Sequence, residues 1–137
     1  MKAPRAERGP GAQALWLCGD RRTLVGAAGA ATQVRVFAAD GGPSLLALYV
    51  GRNSELLGIE RLGRTEAVIE APSIVGQARR LGATGFILAH YDPPRSSGPT
   101  AGELRASKEL RRLGEDVDVY LLHHLIVGDH GLREIAG

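Results

Sequence analysis

The sequence predicts an α/β domain, and three observations lead there. Two apolar runs of strand length, residues 45–50 (LLALYV) and 86–89 (FILA), are bounded by Gly- and Pro-bearing turns. Apolar residues recur at helical spacing in two further stretches, one opening at Pro72 and one at Thr100. The chain has 137 residues, 44% of them apolar, which is enough for one domain with a real core.

The elements follow in chain order. Residues 1–33 carry Lys2, Arg5, Arg8, Arg21 and Arg22 against Glu7 and Asp20, a basic balance. Pro4, Gly9, Pro10 and Gly11 break this segment, so disorder is expected up to about Gly11. Residues 12–18 suit a short helix that lays Leu15, Trp16 or Leu17 on the domain, and residues 27–31 read as a small-residue linker. The alternation Val34-Arg35-Val36-Phe37 predicts a strand. A turn at residues 40–43 leads into the strand at 45–50, and residues 55–61 return as a partly exposed strand. Residues 67–70 suit another strand. Pro72-Ser73 opens a helix with Ile74, Val75, Ala78 and Leu81 on one face, and Gly82 stops it. The strand at 86–89 comes next, then a loop at 93–99 rich in Pro, Ser and Gly. The helix from Thr100 is expected to end near Leu113, with Gly114 as its stop. Residues 117–122 enter the core as a strand that continues to Gly128, Asp129-His130-Gly131 turns the chain, and residues 132–135 close the sheet.

The chemistry concentrates where the strand at 86–89 ends. His90 and Asp92 are two residues apart, so in an extended segment both face one point. Thr100 and Glu103 have capping-box spacing, which by itself needs no further role. One imidazole with two carboxylates, from His90, Asp92 and Glu103, suits zinc or another divalent ion with a position left for water.

Residues 90–103, HYDPPRSSGPTAGE, resemble the motif H-N-H-P-S-G-D-P-T-P-S-x-x-D of the RadC-like branch of the JAB/MPN metalloprotease family, without a gap. Residues 121–128, LLHHLIVG, resemble that branch's L-L-D-H-L-I-V-G. The resemblance covers roughly residues 35 to 134 and divides the chain into a basic, partly disordered segment, 1–33, and a RadC-like JAB/MPN domain, 34–137. It implies a mixed, mostly antiparallel sheet flanked by helices, a zinc cofactor, and hydrolysis of a peptide or isopeptide bond. On the family's pattern His90 matches the first metal His, Asp92 the second, Glu103 the metal Asp and Thr100 the motif Ser that polarises an oxyanion. His123 stands where the pattern has Asp, and an exchange with Asp92 would make it a metal ligand. The family's catalytic Glu falls at about Pro43, which cannot take a proton; Asp40 is the nearby acid left to replace it. The resemblance therefore implies a divergent member with little or no turnover. Its alternative reading is a non-catalytic module that acts in protein interaction or regulation.

The remaining classes are bounded by composition. A net charge of +2 does not indicate general nucleic-acid affinity, and a DNA-associated accessory role rests only on the RadC resemblance and the basic segment. The expected partner is a protein or peptide, as substrate or ligand. No apolar run approaches the roughly 20 residues that span a bilayer, so no membrane partner is expected. The one cysteine, Cys18, excludes an internal disulfide and fits a cytoplasmic setting.

Overall fold

The apolar runs at 45–50 and 86–89 form the middle of the sheet. In a computed structural model, which describes residues 5–8, 14–19, 23–38, 42–65, 67–95 and 97–135, strands β3 (Ser44–Val50) and β5 (Gly85–Tyr91) are neighbours, and every residue of both is buried. Around them lie β1 (Arg5–Arg8), β2 (Ala14–Leu17), β4 (Leu56–Gly63), β6 (Tyr120–Val127) and β7 (Leu132–Glu134), in the order β1-β2-β4-β3-β5-β6-β7. All neighbours are antiparallel except β5 and β6, whose parallel pairing needs a crossover. That crossover is helix α3 (Ala101–Asp116), while α1 (Gly26–Ala38) and α2 (Ala71–Arg80) complete the set. The mixed, mostly antiparallel sheet flanked by helices is thus present. No helix among the described residues is long and apolar enough to cross a membrane.

Strand alternation sorts the core into two faces. One face carries Leu45, Ala47, Tyr49, Phe86 and Leu88 under α2 and α3, which contribute Ile74, Val75, Ala78 and Leu110. The other carries Leu46, Leu48, Ile87, Ala89 and Leu125 against Ala30, Ala31, Val34 and Ala38 of α1.

Several expectations are corrected. Val34 to Phe37 are not a strand: they complete α1, which also absorbs the expected linker at 27–31. Its buried residues, Ala30, Ala31, Val34 and Ala38, have helical spacing, and their small side chains let the helix approach the sheet closely. The chain position between residues 33 and 34 therefore falls inside a helix. Residues 14–17 form a strand rather than a helix, which buries Leu15 on one face and sets Trp16 edge-on to Phe37 at 4.7 Å on the other. Arg5–Arg8, expected to be disordered, pairs with that strand. Residues 68–70 have no regular structure, and Glu70 takes the N-cap position of α2 without a side-chain capping bond.

Gly114 does not stop α3, which runs on to Asp116. It permits a close approach instead. A methyl group there would lie 2.1 Å from the carbonyl oxygen of Val119.

Face alternation also buries one carboxyl under α2. Glu60 is 6% exposed and accepts a 2.5 Å hydrogen bond from the hydroxyl of Tyr49. Burial pushes its carboxyl above the ordinary range, against the opposing pull of that hydrogen bond and of Arg80. A raised folded-state pKa means that stability is fullest below the unfolded carboxyl range and declines as pH rises through the folded value. Glu60→Gln, which keeps the acceptor and loses the charge, is accordingly expected to match or exceed the wild-type thermal midpoint at neutral pH. The advantage should vanish near pH 4, about the ordinary Glu value. Thermal midpoints at both pH values check this, and a Gln variant less stable at both would contradict it.

Candidate functional site

The carboxyl end of β5, the loop after it and the start of α3 enclose a cleft of about 710 Å³. Thr65, Ala67, Val68 and Ile69 form its other wall, the last three giving an apolar surface. Val68 is 84% exposed. His90, Asp92, Arg95, Thr100 and Glu103 all line this cleft.

His90 reaches it because even positions of β5 share the face under α2 and α3. Its ring is 1% exposed, with Nδ1 aimed at Glu103 Oε2 3.6 Å away. That distance is too long for a hydrogen bond, and Nδ1 is buried in no well-formed hydrogen bond, with the Thr65 backbone beside the ring. Burial holds the imidazole below its ordinary pKa, with Glu103 pulling the other way.

Thr100 caps α3 as the sequence requires. Its Oγ1 accepts from the Glu103 amide at 3.0 Å, and Glu103 Oε1 accepts from the Thr100 amide at 2.9 Å. The hydroxyl hydrogen stays available as a donor toward the cleft. Asp92 lies at the mouth, and its backbone amide donates to the carbonyl of Val127 at 3.0 Å. Its carboxylate favours a protonated His90. Pro43, which stands for the family's catalytic Glu, immediately precedes β3, whose first residue pairs with Tyr91. The position is at this end of the sheet, but it offers no acid. Asp40 lies outside the described residues.

His123 is not in the cleft. It faces away, and its Nδ1 is paired with Glu134 Oε1. The histidine that does arrive is His124, whose Nε2 lies 2.9 Å from Nε2 of His90, with ring centroids 5.1 Å apart. The cause is a register shift between Phe86 and Ile87, opposite which Leu122 is the extra residue of β6. The bulge inverts the alternation, so that His124 shares the face of Leu121, which His123 would otherwise share. Gly85 makes room for it: a methyl group there would lie 2.9 Å from the Leu122 side chain. Burial, the neighbouring His90 and Arg111 all hold the His124 ring neutral, while Glu103 pulls the other way.

The residue missed by sequence reading is Arg95. Its guanidinium grips Glu103 in both branches, Nη1 to Oε2 at 2.8 Å and Nη2 to Oε1 at 2.6 Å. Nη2 also donates to the carbonyl of Gly98 at 2.7 Å. The side chains are 10% and 12% exposed. First of all this link, then the capping bond and His90, hold the Glu103 carboxyl down to about 2. A signal was present: in the gapless match of residues 90–103, Arg95 stands where the family motif has its Gly.

Zinc requires three or four protein donors about 2 Å from one point. Among the described residues no group of three or more His, Cys, Asp or Glu side chains is arranged to hold a metal ion. Of the expected donors, His90 Nε2 is turned to His124, His123 is elsewhere, and both oxygens of Glu103 are taken by Arg95. The donor set as it stands does not fit the ion.

A sequence profile described as the RadC-like JAB domain matches residues 34–135. Among similar proteins, a UPF0758 protein of Cupriavidus taiwanensis is 29% identical over 94 residues, which is 66% of this chain and 41% of that one. A UPF0758 protein of Pseudomonas fluorescens is 35% identical over 85 residues, 60% of this chain and 38% of its own length. One from Aquifex aeolicus is 33% identical over 89 residues, covering 63% of this chain and 38% of the relative. The chain thus spans about two fifths of the length of these relatives.

Proposed function

The chain belongs to the RadC-like JAB domain family, and from that membership we propose that it is a non-hydrolytic member, whose cleft binds a protein or peptide without cleaving it. The observation that carries this reading is the two-pronged Arg95–Glu103 link. An Arg that bonds both oxygens of a carboxylate sets a fixed positive charge where a metal ion would approach, and that charge repels the ion. Pro43 supports the same reading, since a proline cannot serve as general base.

What remains in the cleft suits binding. Ala67, Val68 and Ile69 offer apolar contact on one wall, with Val68 84% exposed, and the Thr100 hydroxyl is a donor across from them. An extended peptide can bury apolar side chains on the first wall and give a carbonyl to the second. The single, half-buried Cys18 accords with work in a reducing, cytoplasmic setting.

The test is a hydrolysis assay with fluorogenic peptides and ubiquitin-like isopeptide substrates, with zinc supplied. General acid–base help alone is worth roughly 10²–10⁴-fold. Without base or metal, no turnover above the uncatalysed rate is expected. Turnover that disappears in His90→Ala would contradict the proposal.

A further inference from the structure

We infer that Arg95 is the resident cation of the cleft, holding Glu103 in the position a divalent ion would otherwise take, so that metal and guanidinium exclude each other. This inference rests on the non-hydrolytic reading above and explains how the site is kept closed.

Two independent observations meet here. The first is the competition for one atom. Glu103 Oε2, the oxygen that faces His90 Nδ1 at 3.6 Å, is the one to which Arg95 Nη1 donates at 2.8 Å. A metal bridging His90 and Glu103 would have to bind that oxygen beside a guanidinium nitrogen 2.8 Å from it, whose positive charge repels the ion. The second is His90 itself. Its Nδ1 is buried, in no well-formed hydrogen bond, with the Thr65 backbone beside the ring, and aimed at a carboxylate it does not reach. A buried polar atom without a well-formed hydrogen bond is costly and calls for a cause. A nitrogen oriented as a ligand, beside a carboxylate drawn off by another cation, supplies one.

The choice of Arg over Lys also fits. Glu103 is 12% exposed, and a buried carboxylate needs a positive partner wherever it is ionised. A guanidinium stays charged, matches both oxygens in one plane, and here has Nη2 left for the Gly98 carbonyl, which folds the loop around it. A carboxylate satisfied in this way has no need of a metal.

The experiment compares wild type, Arg95→Ala and Arg95→Ala/His90→Ala, each titrated with cobalt(II) and, separately, zinc(II). Thermal midpoint and the visible absorption of cobalt are the readouts. Arg95→Met, which keeps most of the side chain's packing, is read in the same way and replaces the Ala variant if that one does not fold. Wild type is expected to show neither cobalt absorption nor a metal-dependent midpoint. Arg95→Ala is expected to melt several degrees lower, to gain cobalt absorption, and to recover midpoint on adding either ion. The added His90→Ala change should abolish both gains. An Arg95 variant that stays indifferent to both ions would overturn the inference and leave the non-hydrolytic reading intact. Wild-type peptide turnover would overturn that reading instead.

Discussion

Glu103→Ala is expected to destabilise the protein by about 3–5 kcal/mol, the range for removing one partner of a buried ion pair. The substitution leaves the Arg95 guanidinium, 10% exposed, without its carboxylate. It also removes the acceptor for the Thr100 amide, so half of the α3 capping box goes with it. Because the pair lies in an open cleft, solvent reaches it in part, and the lower end of the range is the better expectation. Acid should erase the difference. A depressed carboxyl contributes stability above the unfolded carboxyl range, and loses it as pH falls through the folded value, here about 2. Wild type and variant should therefore converge as the pH is lowered through that window. Arg95→Met combined with Glu103→Leu should recover much of the loss, since apolar groups of similar volume often replace a buried pair at little cost. Denaturant unfolding of wild type and the two variants decides this. A single-site loss within about 1 kcal/mol, as for surface pairs, would show that the link is incidental.

Gly114→Ala is expected to cost about 3 kcal/mol or more, at the severe end for overpacking. Its methyl group would lie 2.1 Å from the Val119 carbonyl oxygen and 3.3 Å from the carbonyl carbon. Backbone cannot swing aside as a side-chain tip does. Two further bonds hold it here: the amides of Val117 and Val119 both donate to the Gly114 carbonyl, at 3.0 and 2.9 Å. Relief would require moving the entry of β6, and with it His124. Gly76→Ala in α2 is the control. Nothing lies within 4 Å of its added methyl, so a gain of about 0.5–1 kcal/mol is expected from helix propensity. Equal midpoints for the two variants would contradict the packing account.

Much of the sheet was legible because its signals are local. Leu45 to Val50 and Phe86 to Ala89 are uninterrupted apolar runs, and both strands lie buried on their two faces. Pro72 and the Thr100–Glu103 pair mark helix starts by rules that involve only a few neighbours, and both helices begin there. The first helix was not legible. Its buried face is largely alanine, which reads as linker, and Val34 to Phe37 happen to alternate over too few residues to separate the two periods.

The site divides in the same way. His90, Asp92, Thr100 and Glu103 were placed by strand and cap arguments, and all four line one cleft. Of the adjacent His123 and His124 only one can face the cleft, and His123 was favoured because a bulge at Leu122, which changes the one that faces inward, leaves no mark in a run of apolar and imidazole side chains. Arg95 was missed because an arginine in a Pro-, Ser- and Gly-rich loop ordinarily points to solvent. Only the fold brings Glu103, eight residues on, within its reach.

The most direct test of the central claim is the zinc content of the wild-type protein, by mass spectrometry, after equilibration with excess zinc and removal of the unbound ion. With Arg95 holding Glu103, the account predicts far less than one zinc per chain, and no difference between wild type and His90→Ala. One zinc per chain in wild type, lost in His90→Ala, would contradict it.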